Sequence, residues 1–255
     1  MTPSLFLAHG APLIAIQDND YTRFLRKLGA QFKPKAIVIF TAHWESETLT
    51  ISATDDVYDT IYDFSGFPDE LYRMKYPAKG STRIAAMLAE RFKKQGIPVQ
   101  QDTKRGLDHG SWTLLHHLYP QADIPVVQLS VNPFLAPREQ YRIGEALQGL
   151  NQEDILVIGS GVTVHNLRML QWGDSTTEAW AIEFDDWLIE KMQNKEWEAL
   201  FAYEEMAPHA RLAVPRAEHF VPLFIAMGSG GADADASVIY RSYEHGTLSY
   251  LCLQF

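Results

Sequence analysis

The sequence predicts an α/β fold with a mostly parallel, mixed central sheet, helices on both faces and a C-terminal hairpin. Apolar runs that do not alternate with polar residues, such as Ile37 to Phe40 and Ile155 to Ile158, are typical of strands buried on both faces. Amphipathic stretches separate these runs, and such alternation favours a parallel sheet. We expect residues 1–255 to form a single domain, because no linker interrupts them.

The strands are predicted from short apolar runs rich in β-branched residues. The final two are joined through Glu244-His245-Gly246, which predicts a terminal antiparallel hairpin. In chain order the predicted strands are 5–8, 36–41, 49–53, 125–131, 154–158, 238–243 and 247–253.

The helices are predicted from apolar residues at a spacing of three or four. The clearest begins at Ser81, a residue that suits a helix start, and carries Ile84, Leu88 and Phe92 on one face. The predicted helices are 20–28, 81–95, 112–119, 137–149 and 177–192, with a further apolar helix-like segment at 220–225.

The stretch 55–77 differs from the rest because its tyrosines and phenylalanines are interleaved with Asp, Gly and Pro without a regular period. Loops of that length are usually functional or disordered, and the aromatic content argues against disorder. We therefore predict a long ordered loop, which could cover an aromatic ligand or pack on the core.

Composition excludes several classes of function. The formal net charge of −10 argues against a nucleic-acid or anionic-membrane partner. No apolar stretch approaches the roughly 20 residues that span a bilayer, and no basic leader is evident, so we expect a cytoplasmic protein. Cys252 is the single cysteine, which excludes an internal disulfide and a thiolate metal cluster.

Three histidines, His9, His43 and His165, each stand just beyond an apolar run. In α/β folds the chemistry collects at the carboxyl ends of the strands. Imidazoles from several strands could therefore converge, and neutral imidazoles bind divalent transition metals. The sequence predicts a metal site.

His9 and His43 follow the first two strands and are the best candidate ligand pair, while either Glu218 or His219 could complete the site. Two histidines with a carboxylate would suit Fe(II), whereas three histidines suit Zn(II) equally well. The choice of metal stays open at this point.

Two further histidines are candidates for substrate contact. His109 lies where a helix start would hold it at the edge of a pocket, although a capping role explains it equally well. His165 follows glycines that allow a close backbone approach to a ligand, and it could be an acid/base or a fourth metal ligand. The other histidines are interpreted as structural or solvated: His116, His117, His209 and His245.

Other catalytic signatures are weak or absent. The glycine pair at 159–161 lacks the third glycine of a dinucleotide loop, and no esterase elbow or zincin helix motif occurs. The charge pairs Asp55-Asp56 and Asp185-Asp186 are interpreted as solvated.

Five short motifs, taken together and in order, resemble the class III extradiol ring-cleavage dioxygenases of the LigB superfamily, and within it the 4,5-DOPA dioxygenase branch. The resemblance spans nearly the whole chain. Its motifs are His9-Gly10-Ala11-Pro12, Ala42-His43-Trp44-Glu45, Asp108-His109-Gly110-Ser111-Trp112, Gly159-Ser160-Gly161 through His165-Asn166-Leu167, and Glu218-His219-Phe220-Val221-Pro222-Leu223.

The resemblance implies a mononuclear metal centre, an aromatic diol as substrate and O₂ as co-substrate. It implies His9, His43 and His219 as ligands, with His109 and His165 on the substrate side, where His165 would take and return a proton. His219 stands where better-known relatives have a carboxylate, so Fe(II) and Zn(II) both remain possible metals. The alternatives are a zinc-dependent hydrolase, with His165 or Glu218 as base, and a non-catalytic binding protein on the same fold.

Overall fold

A large mixed sheet organises the computed structural model, which describes residues 2–171 and 176–255. Within these residues eight strands form the sheet in the order β4-β3-β5-β2-β6-β1-β10-β7, and β8 pairs with β9 in a separate ribbon. The strands are β1 (Ser4–Ala8), β2 (Ala36–Glu45), β3 (Leu49–Ser52), β4 (Val99–Asp102), β5 (Val126–Val131), β6 (Ile155–Gly161), β7 (Ser237–Tyr240), β8 (Tyr243–Glu244), β9 (Leu248–Ser249) and β10 (Cys252–Gln254).

The centre of the sheet is parallel and its flanks are not. Strands β1, β6, β2 and β5 pair in parallel, and so do β3 and β4. The pairs β3–β5, β1–β10 and β10–β7 are antiparallel. The prediction of a mostly parallel, mixed sheet is confirmed, and so is the C-terminal hairpin, although each of its two predicted arms divides into two short strands.

Helices cover both faces of the sheet, as predicted. They are α1 (Asp20–Gln31), α2 (Thr82–Lys94), α3 (His109–Leu118), α4 (Pro137–Glu145), α5 (Ala179–Gln193), α6 (Trp197–Phe201), α7 (Tyr203–Met206), α8 (Ala210–Ala213) and α9 (Val221–Gly230). Successive strand residues pack into different cores: Leu5 and Ile37 pack with α1 and α3, whereas Val38 packs with α2, α4 and α9. No helix in the described ranges is both long and apolar enough to cross a membrane.

Two strands differ from the sequence prediction. The edge strand β4 was not predicted, because its sequence Val-Gln-Gln-Asp has only one apolar residue. An edge strand can be this polar, and β4 pairs with β3 alone. Strand β2 continues past its apolar run to Glu45, and its register against β5 shifts between Phe40 and Glu45. His43 therefore lies inside this irregular end of β2, next to the carboxyl edge of the sheet.

The aromatic loop 55–77 is ordered by contacts at both ends. Among the described residues its regular structure consists of a 3₁₀ turn at Leu71–Arg73 and two isolated bridges, Val57 with Lys79 and Thr60 with Leu107. Tyr58 and Tyr76 are buried in the core beside α3, and Tyr62 and Phe64 pack against the same core. The loop is thus pinned across the carboxyl edge of the sheet.

Glycines at the end of β6 allow the chain before α9 to approach the sheet. A Cβ atom on Gly161 would lie 2.2 Å from the carbonyl oxygen of His219, and one on Gly159 would lie 2.3 Å from that of Pro222. The Val162 amide donates to the His219 carbonyl at 2.8 Å. The backbone that these glycines admit is the one that carries His219.

Replacing Gly161 with Ala should therefore lower the free energy of unfolding by about 1–3 kcal/mol, the usual cost of overpacking. On the expectation that His219 is a metal ligand, its displacement should also weaken Zn(II) binding. Urea denaturation and a chelator competition measure the two effects. Gly149→Ala is the control: it strains a left-handed turn (φ 87°) in open space, so about 1 kcal/mol should be lost without a change in zinc affinity. Undiminished zinc affinity in Gly161→Ala would contradict this account.

Candidate metal centre

Three imidazoles converge at the carboxyl edge of the parallel strands. His9 directly follows β1, His43 lies near the end of β2, and His219 lies just before α9. The Nε2 atom of His43 is 3.1 Å from that of His9 and 3.3 Å from that of His219. His9 and His219 are buried and His43 is mostly buried. The three side chains thus offer one nitrogen each to a common centre.

The other ring nitrogen of each histidine faces an acceptor. His9 Nδ1 lies 3.0 Å from Ser160 Oγ. The Ser160 hydroxyl donates its own proton to the carbonyl of Gly110, so it can only accept from His9. The proton of His9 therefore sits on Nδ1, and its Nε2 keeps a free lone pair.

Carboxylates play the same part for the other two rings. His219 Nδ1 is 3.0 Å from Glu218 Oε1, and His43 Nδ1 is 3.2 Å from Asp63 Oδ2. An ionised carboxylate only accepts, so the His43 proton belongs on Nδ1 beside Asp63. Burial raises the pKa of Glu218, and in its ionised form it likewise keeps the His219 proton on Nδ1. Three Nε2 lone pairs then face one another with no proton between them, an arrangement that a cation would stabilise.

The spacing suits a divalent transition metal. With metal–nitrogen bonds of about 2.0–2.1 Å, two ligand nitrogens lie about 3.3 Å apart in tetrahedral and about 2.9 Å apart in octahedral geometry. The observed 3.1 and 3.3 Å fall between these values and are compatible with either. The three imidazole nitrogens therefore fit a divalent transition metal, and they leave coordination positions open for other ligands.

The electrostatics of the site keep these imidazoles neutral. Burial, with the neighbouring histidines second, holds the pKa of His9 and of His219 well below the usual value for histidine. Burial and His109 lower the pKa of His43 to about 3. A neutral imidazole is the form that binds a metal, so the site needs no deprotonation at pH 7.

His109 lies next to His43, and His165 lies next to His219. His109 begins α3, and its ring centroid is 3.9 Å from that of His43. The His165 ring stacks on His219 with centroids 3.6 Å apart and planes 10° from parallel. Burial, with His109 second, lowers the pKa of His165 to about 4, so it is a neutral base at pH 7.

Glu218 and His219, the alternatives for the third ligand, occupy different places. Glu218 contacts His219 Nδ1 and belongs to a second potential metal-binding group, formed with His165 and His219. His219 alone of the pair belongs to the group with His9 and His43.

Sequence reasoning missed Asp63, which lies between two aromatic residues of the loop. Asp63 contacts His43 through Oδ2 and His109 through Oδ1. Burial alone would raise its pKa, but the hydrogen bonds and charges of these histidines lower the pKa to about 2, so it is ionised. The available signal was a carboxylate flanked by the aromatic residues Tyr62 and Phe64.

A buried carboxylate also holds the chain around His165. Asp185 Oδ1 accepts from Thr163 at 2.6 Å, and Oδ2 accepts from Ser249 at 2.6 Å and from Tyr243 at 2.9 Å. The interpretation of Asp185-Asp186 as a solvated pair is wrong for Asp185, which is fully buried. Its hydrogen bonds replace the water that it loses on burial.

The histidines outside the centre have other surroundings. His117 is buried and contacts the carbonyl of Ile14 at 2.7 Å, and half-exposed His209 pairs with Glu183. These contacts fit the structural interpretation of both residues.

Comparison with known proteins assigns the chain to a family. The family described as "Catalytic LigB subunit of aromatic ring-opening dioxygenase" matches residues 3–252. The chain belongs to the LigB family.

Relatives of this LigB protein match it over almost their whole length. It is 40% identical to a 4,5-DOPA dioxygenase extradiol of Beta vulgaris, covering 99% of this chain and 96% of the relative. It is 36% identical to the Escherichia coli protein of the same name, covering 99% and 94%. The crystal structure of an uncharacterized Escherichia coli K12 protein superposes with a TM-score of 0.84 at 33% identity, covering all of both chains.

The LigB protein is accordingly an extradiol dioxygenase, an oxidoreductase that opens an aromatic diol ring and incorporates both atoms of O₂ in a metal-dependent reaction. The resemblance noted in the sequence is confirmed. The converging imidazoles offer a possible site for the metal of such a reaction.

The lowered histidine pKa values should make the metal-free protein sensitive to mild acid. Above pH about 6.5 these rings are neutral in both the folded and the unfolded protein. Below that pH they become protonated in the unfolded chain but stay neutral in the folded protein, so the unfolded state is favoured. For His165 this costs about 1 kcal/mol of stability at pH 5.5, and the loss continues to about pH 4.

Urea denaturation of the metal-free wild type and of His165→Asn, each at pH 7.5 and 5.5, measures this contribution. The wild type should lose about 1 kcal/mol more than the variant. Equal losses in the two proteins would show that His165 is protonated in the folded state.

Proposed function

We propose that this chain is a cytoplasmic Fe(II)-dependent dioxygenase that cleaves the catechol ring of DOPA or a close analogue, as one catalytic domain over residues 1–255. His9, His43 and His219 are the metal ligands in this proposal. The observation that carries it is the convergence of three Nε2 atoms, each on a ring whose Nδ1 atom lies next to an acceptor.

Iron is proposed over zinc on chemical grounds. The three imidazoles would hold either ion, and the affinity order of divalent metals favours zinc over Fe(II). Zinc has no redox chemistry, however, whereas bound iron would mediate electron transfer between a chelated catechol and O₂. Zinc-loaded protein should therefore be folded and inactive.

His165 is proposed as the base that takes a catechol proton and later returns it. It is neutral at pH 7 because burial lowers its pKa to about 4, and its ring lies face to face with His219. His165 lies on the face of His219 and does not belong to the group formed by His9, His43 and His219. This position supports the role of a base over that of a fourth metal ligand.

His109 is proposed to orient the substrate. Asp63 accepts a hydrogen bond from the protonated Nδ1 of His109, so Nε2 is the ring nitrogen left to accept a hydrogen bond from a catechol hydroxyl. Phe64 lies perpendicular to the His109 ring at a centroid distance of 5.6 Å. An aromatic side chain beside the polar contact suits an aromatic diol.

DOPA is proposed as substrate because four relatives carry the name 4,5-DOPA dioxygenase extradiol, at 35–40% identity over nearly the full chain. The product would be a ring-opened semialdehyde. Both oxygen atoms of O₂ would enter this product.

The proposed roles predict different behaviour for two alanine variants. His43→Ala should lose bound metal and all activity, because one of three ligands is gone. His165→Ala should keep its metal and lose about 10²–10⁴-fold in kcat, the usual contribution of a general base. Metal analysis beside steady-state kinetics distinguishes the two. Loss of metal in His165→Ala would make His165 a ligand.

The proposed function is tested by oxygen uptake recorded together with visible absorbance. Stripped protein is loaded anaerobically with Fe(II) or with Zn(II) and mixed with DOPA or with unsubstituted catechol. Oxygen consumption and a yellow product in the iron sample alone support the proposal. Activity with zinc would exclude the iron requirement, and uptake with catechol but not DOPA would exclude DOPA as substrate.

A further inference from the structure

We propose that Asp63 is a positioning residue that sets the proton positions of two histidines at once, one a metal ligand and the other on the substrate side. The inference rests on the ligand set of the proposed function. It assigns a role to a residue of the aromatic loop, which is far in sequence from both histidines.

The geometry places one carboxylate between two rings. Asp63 Oδ1 accepts from the backbone amide of His109 at 3.0 Å and lies 2.9 Å from His109 Nδ1. Asp63 Oδ2 lies 3.2 Å from His43 Nδ1. Each oxygen therefore serves a different imidazole.

The loop holds this carboxylate in place through its backbone. The Ile61 amide donates to the Leu107 carbonyl at 2.8 Å, and the indole Nε1 of Trp112 donates to the Ile61 carbonyl at 3.1 Å. Tyr62, next to Asp63, donates its hydroxyl to the Met74 carbonyl at 2.6 Å. The chain before Asp63 is thus fixed to α3, the helix that begins with His109.

A carboxylate in this position dictates both tautomers. It has no proton to donate, so His43 and His109 must each keep a proton on Nδ1. The Nε2 atom of His43 is then free for the metal, and that of His109 is free for the substrate. A single side chain in this way links metal binding to substrate orientation.

Asparagine cannot fill this role. Its amide offers one acceptor oxygen and one NH₂ donor, so one of the two histidines would lose its acceptor and be driven toward the other tautomer. Glutamate keeps both acceptors on a longer chain. Asp63→Asn, Asp63→Ala and Asp63→Glu therefore form a graded series, with Asp69→Asn as the matched control, since Asp69 is an exposed aspartate of the same loop.

The first measurement is the Zn(II) affinity of the stripped full-length variants, by competition with a chromophoric chelator. Loss of an outer carboxylate typically weakens metal binding about 10–100-fold, which is the result expected for Asp63→Asn and Asp63→Ala. Asp63→Glu should recover part of the affinity, and Asp69→Asn should match the wild type. Thermal unfolding of the metal-free variants checks that each one folds.

The second measurement reports the tautomers directly. Nitrogen NMR of ¹⁵N-histidine-labelled, zinc-loaded protein should give Nδ1–H signals for His43 and His109 in the wild type and in Asp69→Asn. In Asp63→Ala the His109 signal should change toward the Nε2–H form or an exchanging mixture. A merely structural loop residue would not alter these signals in a folded variant.

The outcomes separate this inference from the proposed function. Wild-type affinity and unchanged tautomers in Asp63→Ala would overturn the positioning role and leave the ligand set intact. An affinity loss as complete as that of His43→Ala would make Asp63 a ligand, in keeping with the alternative group His43, Asp63 and His109, and would also overturn the positioning role. Undiminished zinc binding in His43→Ala would instead refute the ligand set itself.

Discussion

An imidazole can direct a lone pair at a metal from one nitrogen only if its proton rests on the other. In this protein the acceptors Ser160, Asp63 and Glu218 set that condition for His9, His43 and His219. Because an acceptor holds each Nδ1 proton, each Nε2 atom keeps a free lone pair. The Nε2 atom of His43 can therefore lie 3.1 Å from that of His9 and 3.3 Å from that of His219. The strands and the aromatic loop are important for the site because they place these acceptors next to the histidines.

Burial gives the centre its chemical character. Removal from water keeps the rings neutral, which suits metal binding and leaves His165 able to accept a proton. A buried carboxylate near the site needs hydrogen bonds for the same reason, and Asp185 receives them from three hydroxyl groups. The cost of burying polar groups is thus met by hydrogen bonds that also fix the chain near the site.

Several parts of the fold and site could be predicted from local sequence. The apolar runs predicted the sheet centre, and the motifs predicted the histidines that the structure gathers. Strand β4 was missed because it is a polar edge strand. Asp63 was missed because its partners lie 20 residues before it and 46 residues after it, across a loop without a periodic pattern.

The sequence by itself determined the fold class, the family motifs and the residue types able to bind a metal, since these depend on hydrophobic period and on side-chain chemistry. Tertiary structure alone decided which side chains meet. The approach of His219 to Gly161, the burial of Asp185 and the double contact of Asp63 all join segments distant in sequence. Tautomers and pKa values follow from those contacts, because a proton responds to the acceptors and the solvent around it rather than to neighbours along the chain.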